Sequence, residues 1–352
     1  MKNDRIVAGI SQGDINGIGY EIIIKTLLDP RILEMCTPVV YGSPKVSAYH
    51  RKALNIDNFS FNNVKDANEI NHKRANIINC LDDNVRVELG KSTEIAGQAS
   101  FISLEMAVND LINKKIDILI TAPINKNNIQ SDKFRFAGHT EYLREKTATR
   151  EVLMLLVSDS MKLGVITGHI PLKDVASTLT IELILKKLRL LQRSLLEDFA
   201  IKSPKIAVLG LNPHNGDGGV IGNEETEIII PAIEKARDEG IKAIGPFPAD
   251  GFFGAGIFSQ FDAVMAMYHD QGLAPFKALA FDSGVNYTAG LPVIRTSPDH
   301  GTAYEIAGKN VASPNSFRNA LYLAIDIFKN RKLFLETTAN PLPEIDIEKI
   351  NS

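Results

Sequence analysis

The chain has 352 residues, of which 44% are hydrophobic and 23% are charged, and its formal net charge is −3. This balance is typical of a globular protein and gives no basic surface for nucleic acid. No run approaches the roughly 20 apolar residues that cross a bilayer, and Asp4 and Asp14 come too early for a signal peptide. Two cysteines, Cys36 and Cys80, do not make a disulfide scaffold. We therefore expect a cytoplasmic protein without nucleic acid or membrane partners, whose length suggests two domains.

Apolar strand-like runs alternate with amphipathic helical segments along the chain, which predicts an α/β fold with mainly parallel strands. In chain order, early strands are predicted at 5–10, 38–42 and 115–123. Helices are predicted at 20–28, 97–114, 180–199 and 224–240, and a last helix follows Pro314.

The first predicted strand runs into the glycine-rich loop SQGDINGIGYEI at 11–22, which continues as a helix. Gly13, Gly17 and Gly19 are spaced G-x-x-x-G-x-G, so the G-x-G-x-x-G fingerprint of a Rossmann unit is not met. Glycines before a helix allow either a tight turn without a ligand or a loop that binds an anion. The spacing leaves both interpretations open.

Three histidines, His169, His214 and His269, each follow a short apolar run and open a loop rich in glycine or proline. Such runs indicate buried strands, and ligands of open α/β sheets gather beyond the carboxyl ends of strands. A histidine in this place can simply bond a backbone group. Three in matched settings favour a metal centre with an open position, which suits zinc, cobalt or nickel, or magnesium or manganese with added carboxylates. Asp270 is expected to orient the His269 imidazole or to join the metal.

A second group of polar residues predicts an anion pocket. His139 and Thr140 stand at a predicted helix start, where Thr140 could also be a simple N-cap. Lys277 lies between two strand-like runs and is followed by Asn286 and Arg295. Lysine as a point charge and arginine as a bidentate fork suit phosphate or carboxylate.

The remaining histidines divide into two kinds. His300 lies in the string SPDHGTAYEIAGKN and is expected to belong to a site. His50 and His72 stand in polar surroundings, so we expect both on the surface.

Five strings occur in this order: TAPINK, FAGHTEYL, LNPHNGDGG, YHDQGLAPFK and GLPVIRTSPDHGTA. Together they resemble the 4-hydroxythreonine-4-phosphate dehydrogenase family of vitamin B6 biosynthesis, over most of the chain. The strings GDINGIGYE and HGTAYEIAGKN also resemble the wider superfamily of isocitrate and isopropylmalate dehydrogenases, which binds NAD without a Rossmann fingerprint. The resemblance implies two α/β domains with a central cleft and a homodimer with each active site at the subunit interface.

The resemblance implies two domains, and the positions of the three predicted metal histidines indicate their bounds. Because the three predicted metal histidines fall within it, we expect a metal-binding and dimerisation domain at 131–290. The flanking segments 1–130 and 291–352 would form a discontinuous nucleotide-binding domain.

The resemblance implies roles for individual residues. A divalent metal (zinc, cobalt or magnesium) would be held by His169, His214 and His269, shared across the dimer. The substrate contacts would be His139, Thr140, Lys277, Asn286 and Arg295. The nucleotide, NAD or NADP, would lie near Asp299, His300, Gly301, Thr302, Ala303 and Asn315. The chain departs from the family pattern where Ile15 and Tyr20 replace two usual prolines, which removes two fixed φ angles from the first loop.

The activity implied is NAD-dependent, metal-dependent oxidation of 4-phosphooxy-L-threonine at C3, followed by decarboxylation to 3-amino-2-oxopropyl phosphate. Asp250, Asp270 and Lys126 are the candidates for the general base. The alternatives are a dehydrogenase of 4-phospho-threonate or 4-phospho-erythronate, a metal-dependent sugar-phosphate lyase or aldolase, and a phosphate-ligand binder that is not an enzyme.

Overall fold

The computed structural model describes residues 5–82 and 84–340, which form one large twisted sheet and its covering helices. The strands are β1 Val7–Ser11, β2 Thr37–Gly42, β3 Asn62–Val64, β4 Asn76–Asn79, β5 Ile118–Thr121, β6 Leu153–Val157, β7 Lys162–Thr167, β8 Lys205–Leu209, β9 Lys242–Phe247, β10 Ala263–Tyr268, β11 Val285–Ala289 and β12 Arg295–Pro298. The helices are α1 Gly19–Leu27, α2 Arg31–Met35, α3 Pro44–Ala53, α4 Glu94–Ile112, α5 His139–Lys146, α6 Val175–Thr178, α7 Ile181–Glu197, α8 Ile230–Asp238, α9 Ala249–Gly254, α10 His269–Ala280 and α11 Asn315–Thr338. None of these described helices is long and apolar enough to span a bilayer.

The strand order across the sheet is β3-β4-β2-β1-β5-β12-β11-β6-β7-β10-β8-β9. The strands from β3 to β12 in this order are parallel, and so are β7, β10, β8 and β9. Antiparallel pairings of β12 with β11, β11 with β6 and β6 with β7 join the two groups. The sheet thus passes without a break through both predicted domains. The division into two domains stays a prediction, and its ends at 1–4 and 341–352 lie outside the described residues.

Both faces of the sheet are buried. Along β2, Val40 packs into one hydrophobic cluster, whereas Val39 and Tyr41 pack into another. Side chains that alternate between two cores produce the nearly continuous apolar strands that are typical of parallel sheets. The run at 115–123 is shorter than predicted, because Lys115 and Ile116 close a turn on the carbonyl of Asp110 before β5 begins.

The prediction that His50 lies on the surface is wrong. The ring is 1% exposed on the inner face of α3 and stacks on Tyr20, with ring centroids 5.2 Å apart. Its Nε2–H donates to the carbonyl of Ile15 at 2.7 Å. Burial lowers the pKa of His50 to about 4, so the ring is neutral at pH 7. His72 is half-buried rather than exposed, and its Nδ1 lies 3.0 Å from Thr37 Oγ1.

The two residues that replace the family's prolines are therefore held by side-chain contacts. Ile15 is fully buried and its carbonyl is fixed by His50. The Tyr20 hydroxyl donates to Gln12 Oε1 at 2.7 Å and accepts from the N–H of Ser43 at 2.9 Å. These hydrogen bonds hold the chain at two positions where a proline would fix φ.

Candidate active site

A cavity of about 300 Å³ lies at the middle of the sheet, where the two groups of strands meet. All five residues predicted to bind the substrate line it: His139, Thr140, Lys277, Asn286 and Arg295. It is also lined by His169, His269, Lys126, Asp299, His300 and Gly301. The structure thus brings together residues that the sequence spreads from 126 to 301.

Arg295 is the most unusual residue of this cavity. It is 3% exposed, and its Nε and Nη2 both donate to Thr121 Oγ1, at 3.0 and 2.6 Å. No carboxylate forms a salt bridge with it among the described residues. Burial lowers its pKa to about 9, while the charge of the nearby Glu141 carboxylate opposes that shift. A buried guanidinium that no carboxylate contacts directly is costly, so this geometry favours an anionic ligand.

Three buried polar atoms in the cavity have no hydrogen-bond partner: His139 Nε2, Asn286 Oδ1 and His300 Nε2. Burial holds the pKa of His139 well below its usual value, and the charges of Arg295 and Lys126 lower it further. Burial also lowers the pKa of His300. Buried polar groups are normally paired, so three orphans in one cavity indicate that a ligand supplies the partners.

Thr140 is not the N-cap of α5, because Gly138 occupies that position. Its hydroxyl lies 3.3 Å from Thr288 Oγ1, on β11. Lys277 projects from α10 toward Asp299, with Nζ 3.5 Å from Oδ2. Burial raises the pKa of Asp299, while the Lys277 ammonium opposes that shift. Cationic and hydroxyl donors therefore line the pocket from four elements, which are α5 with Thr140, α10 with Lys277, β12 with Arg295 and β5 with Thr121.

His169 and His269 lie side by side, with ring centroids 5.6 Å apart. His269 Nδ1 is 2.6 Å from Asp270 Oδ1, so its Nε2 is the nitrogen left for a metal. Carboxylates commonly orient metal-binding imidazoles in this way. The pKa of His169 is lowered, mainly by burial and next by Lys126, which favours the neutral form that binds metals. These two residues fit a divalent cation.

His214 does not join the other two histidines within one chain. It follows β8, which neighbours β10, so all three histidines come after adjacent parallel strands as predicted. However, His214 is exposed and does not line the cavity. In residues 5–82 and 84–340, no group of three histidine, cysteine or acidic side chains is close enough to hold a metal.

The residues predicted to bind the nucleotide form a less compact set. Asp299, His300 and Gly301 line the cavity. The carbonyl of Thr302 accepts from the N–H of Ile18 in the first glycine loop at 3.0 Å, and Ala303 has a left-handed backbone with φ 45°. Asn315 is exposed at the start of α11, where its Nδ2 donates to Asp282 Oδ2 at 2.5 Å. Thr302, Ala303 and Asn315 do not line the cavity.

The three candidates for the general base are placed differently. Lys126 lines the cavity. Asp270 is exposed and is bonded to His269. Asp250 is exposed on α9 and lines no part of the cavity in the described chain. Of the three, Lys126 alone faces the space that a substrate would occupy.

Thr121 and Glu141 are two of the lining residues that the sequence analysis missed. Thr121 ends β5 within TAPINK and holds Arg295. Glu141 follows His139 and Thr140 in FAGHTEYL and lines the same cavity. Their positions inside the quoted strings were the available signal, but a hydroxyl and a carboxylate at helix or strand ends are too common to single out.

Comparison with known proteins identifies relatives over nearly the whole chain. The profile of the family described as pyridoxal phosphate biosynthetic protein PdxA matches residues 34–324. A 4-hydroxythreonine-4-phosphate dehydrogenase from Bacteroides thetaiotaomicron is 53% identical over 351 residues, covering 99% of this chain and 96% of the relative. A relative from Oceanobacillus iheyensis, provisionally named D-threonate 4-phosphate dehydrogenase, is 41% identical, covering 91% of this chain and 97% of its own.

The fold matches as well. A crystal structure of 4-hydroxythreonine-4-phosphate dehydrogenase from Klebsiella pneumoniae superposes with a TM-score of 0.80 at 33% identity, covering 93% of this chain and 99% of that one. The predicted α/β fold class is thereby confirmed. The family that the five strings predicted is confirmed too: the chain belongs to the PdxA family of pyridoxal phosphate biosynthetic proteins.

Proposed function

We propose that this chain catalyses the NAD-dependent oxidation of 4-phosphooxy-L-threonine at C3, followed by decarboxylation to 3-amino-2-oxopropyl phosphate. The observation that carries the proposal is the buried guanidinium of Arg295, which forms no salt bridge among the described residues and faces a cavity with unpartnered polar atoms. A dianionic phosphate supplies an acceptor for the guanidinium and for imidazole N–H groups, and the substrate's ammonium or hydroxyl supplies a donor for Asn286 Oδ1. The name of the relative from Bacteroides thetaiotaomicron supports the same substrate.

The protein's main task at the phosphate end is to hold and orient it. Arg295 keeps part of its donor fork free, because its observed bonds use Nε and Nη2 alone. Lys277 adds a point charge, while Thr140, Asn286 and His139 add neutral donors around it. Phosphate binding remote from C3 places the reacting carbon reproducibly beside the nicotinamide.

The oxidation removes a hydride from C3 to the nicotinamide and a proton from the C3 hydroxyl to a base. The product is a β-keto acid. Breaking the bond between C2 and the carboxylate releases CO₂ and leaves an enolate, which takes up a proton at C2 to give 3-amino-2-oxopropyl phosphate. A cation bound by His169 and His269 would supply Lewis-acid stabilisation of negative charge on the C3 oxygen. Lys126 is the base candidate that lines the cavity, and Asp270 fixes the His269 ring. Asp299, His300 and Gly301 would contact the nucleotide.

The active unit would be a homodimer, since one chain leaves the metal site incomplete. His214 does not line the cavity of its own chain and is exposed on a loop beyond β8. The apolar side chains of Leu172 and Val220 are 72% and 82% exposed near His169 and His214 in sequence, which suits a subunit contact. We assign His214 as the third ligand, contributed by each chain to the other's site. The dimer would act in the cytoplasm.

The deciding experiment is NADH formation, followed by absorbance, with 4-phosphooxy-L-threonine before and after treatment with a chelator. We expect turnover that falls at least 100-fold on chelation and returns when Zn²⁺, Co²⁺ or Mg²⁺ is added back. Replacing NAD with NADP in the same assay identifies the preferred nucleotide. Full turnover by the chelated protein contradicts the metal's role, and absence of NADH with every metal contradicts the reaction.

A second candidate substrate is 4-phospho-D-threonate, favoured by the name of the relative from Oceanobacillus iheyensis. It has a hydroxyl in place of the amine and would use the same phosphate pocket. The two kcat/KM values measured on one preparation decide between them. A lyase acting on sugar phosphates needs no nicotinamide, so saturable NAD binding in a titration argues against that class.

A further inference from the structure

The loop that carries His214 has an unusual backbone. Its five consecutive residues from His214 to Gly218 all have positive φ, between 45° and 76°. Three of them, His214, Asn215 and Asp217, are not glycine. Side chains rarely adopt this conformation, and a run of it persists only where the surroundings impose it. The loop must therefore be held from outside.

Glu225, in the π-helical turn before α8, holds the two residues that lead into this loop, Leu211 and Asn212. The side chain is 1% exposed, although it is a carboxylate. Its Oε1 accepts from the backbone N–H groups of Leu211 and Asn212, both at 2.7 Å, and its Oε2 accepts from Asn212 Nδ2 at 2.9 Å. Hydrogen bonds to a charged acceptor are stronger than those between neutral groups. One buried side chain thus fixes the entry to the left-handed run.

The remainder of the loop closes around the same carboxylate. A Cβ at residue 216 would stand 2.9 Å from Glu225 Oε2 and 2.6 Å from the carbonyl of Gly222, so only glycine fits there. On the far side, Asn215 Nδ2 donates to the carbonyl of Pro246 at 2.9 Å. Hydrogen bonds therefore hold the loop on both sides of His214, while the His214 ring stays exposed.

We propose that Glu225 is the positioning residue for His214: it pre-forms the left-handed loop so that the imidazole is presented outward, ready to complete the metal site of a second copy of this chain. The inference rests on the proposed function, which makes His214 a ligand. A pre-formed ligand binds more tightly because less conformational freedom is lost on binding. Partners that orient metal ligands typically contribute 10- to 100-fold in metal affinity.

The test compares Glu225→Gln with Glu224→Gln in the purified full-length, metal-free protein. Glu224 is a matched control, because its Oε2 accepts only the Asn212 side-chain amide, at 2.7 Å. Two quantities are measured: the Kd for Co²⁺ by titration, and amide hydrogen exchange of residues 210–219. We expect Glu225→Gln to raise the Kd about 10- to 100-fold and to speed exchange in this loop, and Glu224→Gln to change each by less than about threefold.

A wild-type Kd in Glu225→Gln, or unchanged exchange in its loop, overturns the proposal. His214→Ala separates the proposal from its premise: if that variant keeps wild-type Co²⁺ affinity, the metal assignment in the proposed function has failed. If His214→Ala binds Co²⁺ weakly while Glu225→Gln binds it normally, only the role of Glu225 is refuted. If Glu225→Gln does not fold, Glu225→Asp withdraws the carboxylate by one methylene and is judged by the same two measurements.

Discussion

The first glycine loop and the central cavity are both polar, but they differ in where their polar groups find partners. Residues 11–20 are all buried, and most of the loop's polar side chains bond to the protein, although Ser11 Oγ has no partner among the described residues. Asp14 accepts from the N–H of Asn16, from the Tyr304 hydroxyl and from Asn128 Nδ2. Asn16 uses both ends of its amide, on Glu88 and on Lys91. The side chains of Asp14 and Asn16 thus find their partners within the chain.

The cavity shows the opposite pattern. Among the described residues, Arg295 forms no salt bridge, and His139, Asn286 and His300 each carry a buried atom without a hydrogen-bond partner. These partners favour the interpretation of the glycine loop as a structural turn and of the cavity as a binding site. Gly17 packs so closely on Thr302 that a Cβ would stand 2.7 Å from that carbonyl, so the loop also shapes the segment predicted to bind the nucleotide.

Arg295→Met is expected to produce the largest effect, and it tests whether the cavity differs from the glycine loop in binding a ligand. Loss of this deeply buried cation should lower kcat/KM for the phosphorylated substrate by about 10³-fold, near 4 kcal/mol. The same change should leave the unfolding free energy equal or about 1 kcal/mol higher, because a buried charge without a salt bridge is removed. Steady-state kinetics and denaturant unfolding of one preparation measure both.

Wild-type kcat/KM in Arg295→Met would show that the cavity does not hold the phosphate. A large loss of stability would mean instead that Arg295 has a structural partner, as the loop residues do. Lys309→Met, at an exposed position, is the matched control for loss of one positive charge.

The next largest effect expected is a loss of folding stability at low pH, caused by His50, which packs against the first glycine loop. His50 has a folded-state pKa of about 4 because of burial, against about 6.5 when unfolded. Between these values the unfolded chain binds a proton that the folded chain does not, so stability falls as pH drops from 6.5 to 4. The predicted loss is about 3 kcal/mol from this one ring. Urea unfolding at a series of pH values measures it.

The control is His50→Gln, whose amide can still donate to the carbonyl of Ile15 but does not titrate in this range. Carboxylates affect both proteins alike, so the difference between the two stability curves isolates His50. Curves that stay parallel from pH 6.5 to pH 4 would show that the ring is solvated, as its sequence context had suggested.

These cases show what the sequence could predict. Periodicity within one element predicted β1, α4 and α7 to within a few residues, because apolar spacing is a local property. The residues of the cavity were predictable because they follow strand ends, which converge. The burial of His50 was not predictable, since it depends on Tyr20, thirty residues away, and on the packing of α3. The backbone around His214 was not predictable either, since Glu225, which bonds the N–H groups of Leu211 and Asn212, lies on a separate element and leaves no local pattern there.

The smallest effect expected is that of Tyr20→Phe, which removes one hydroxyl from the loop. Gln12 Oε1 loses its donor and the N–H of Ser43 loses its acceptor, in a fully buried place. Unsatisfied buried groups of this kind should lower the unfolding free energy by about 1–2 kcal/mol. Because the loop is structural, kcat/KM at saturating NAD should stay within about twofold of wild type. A loss of activity without a loss of stability would place the loop, contrary to its satisfied hydrogen bonds, among the groups that contact the ligand.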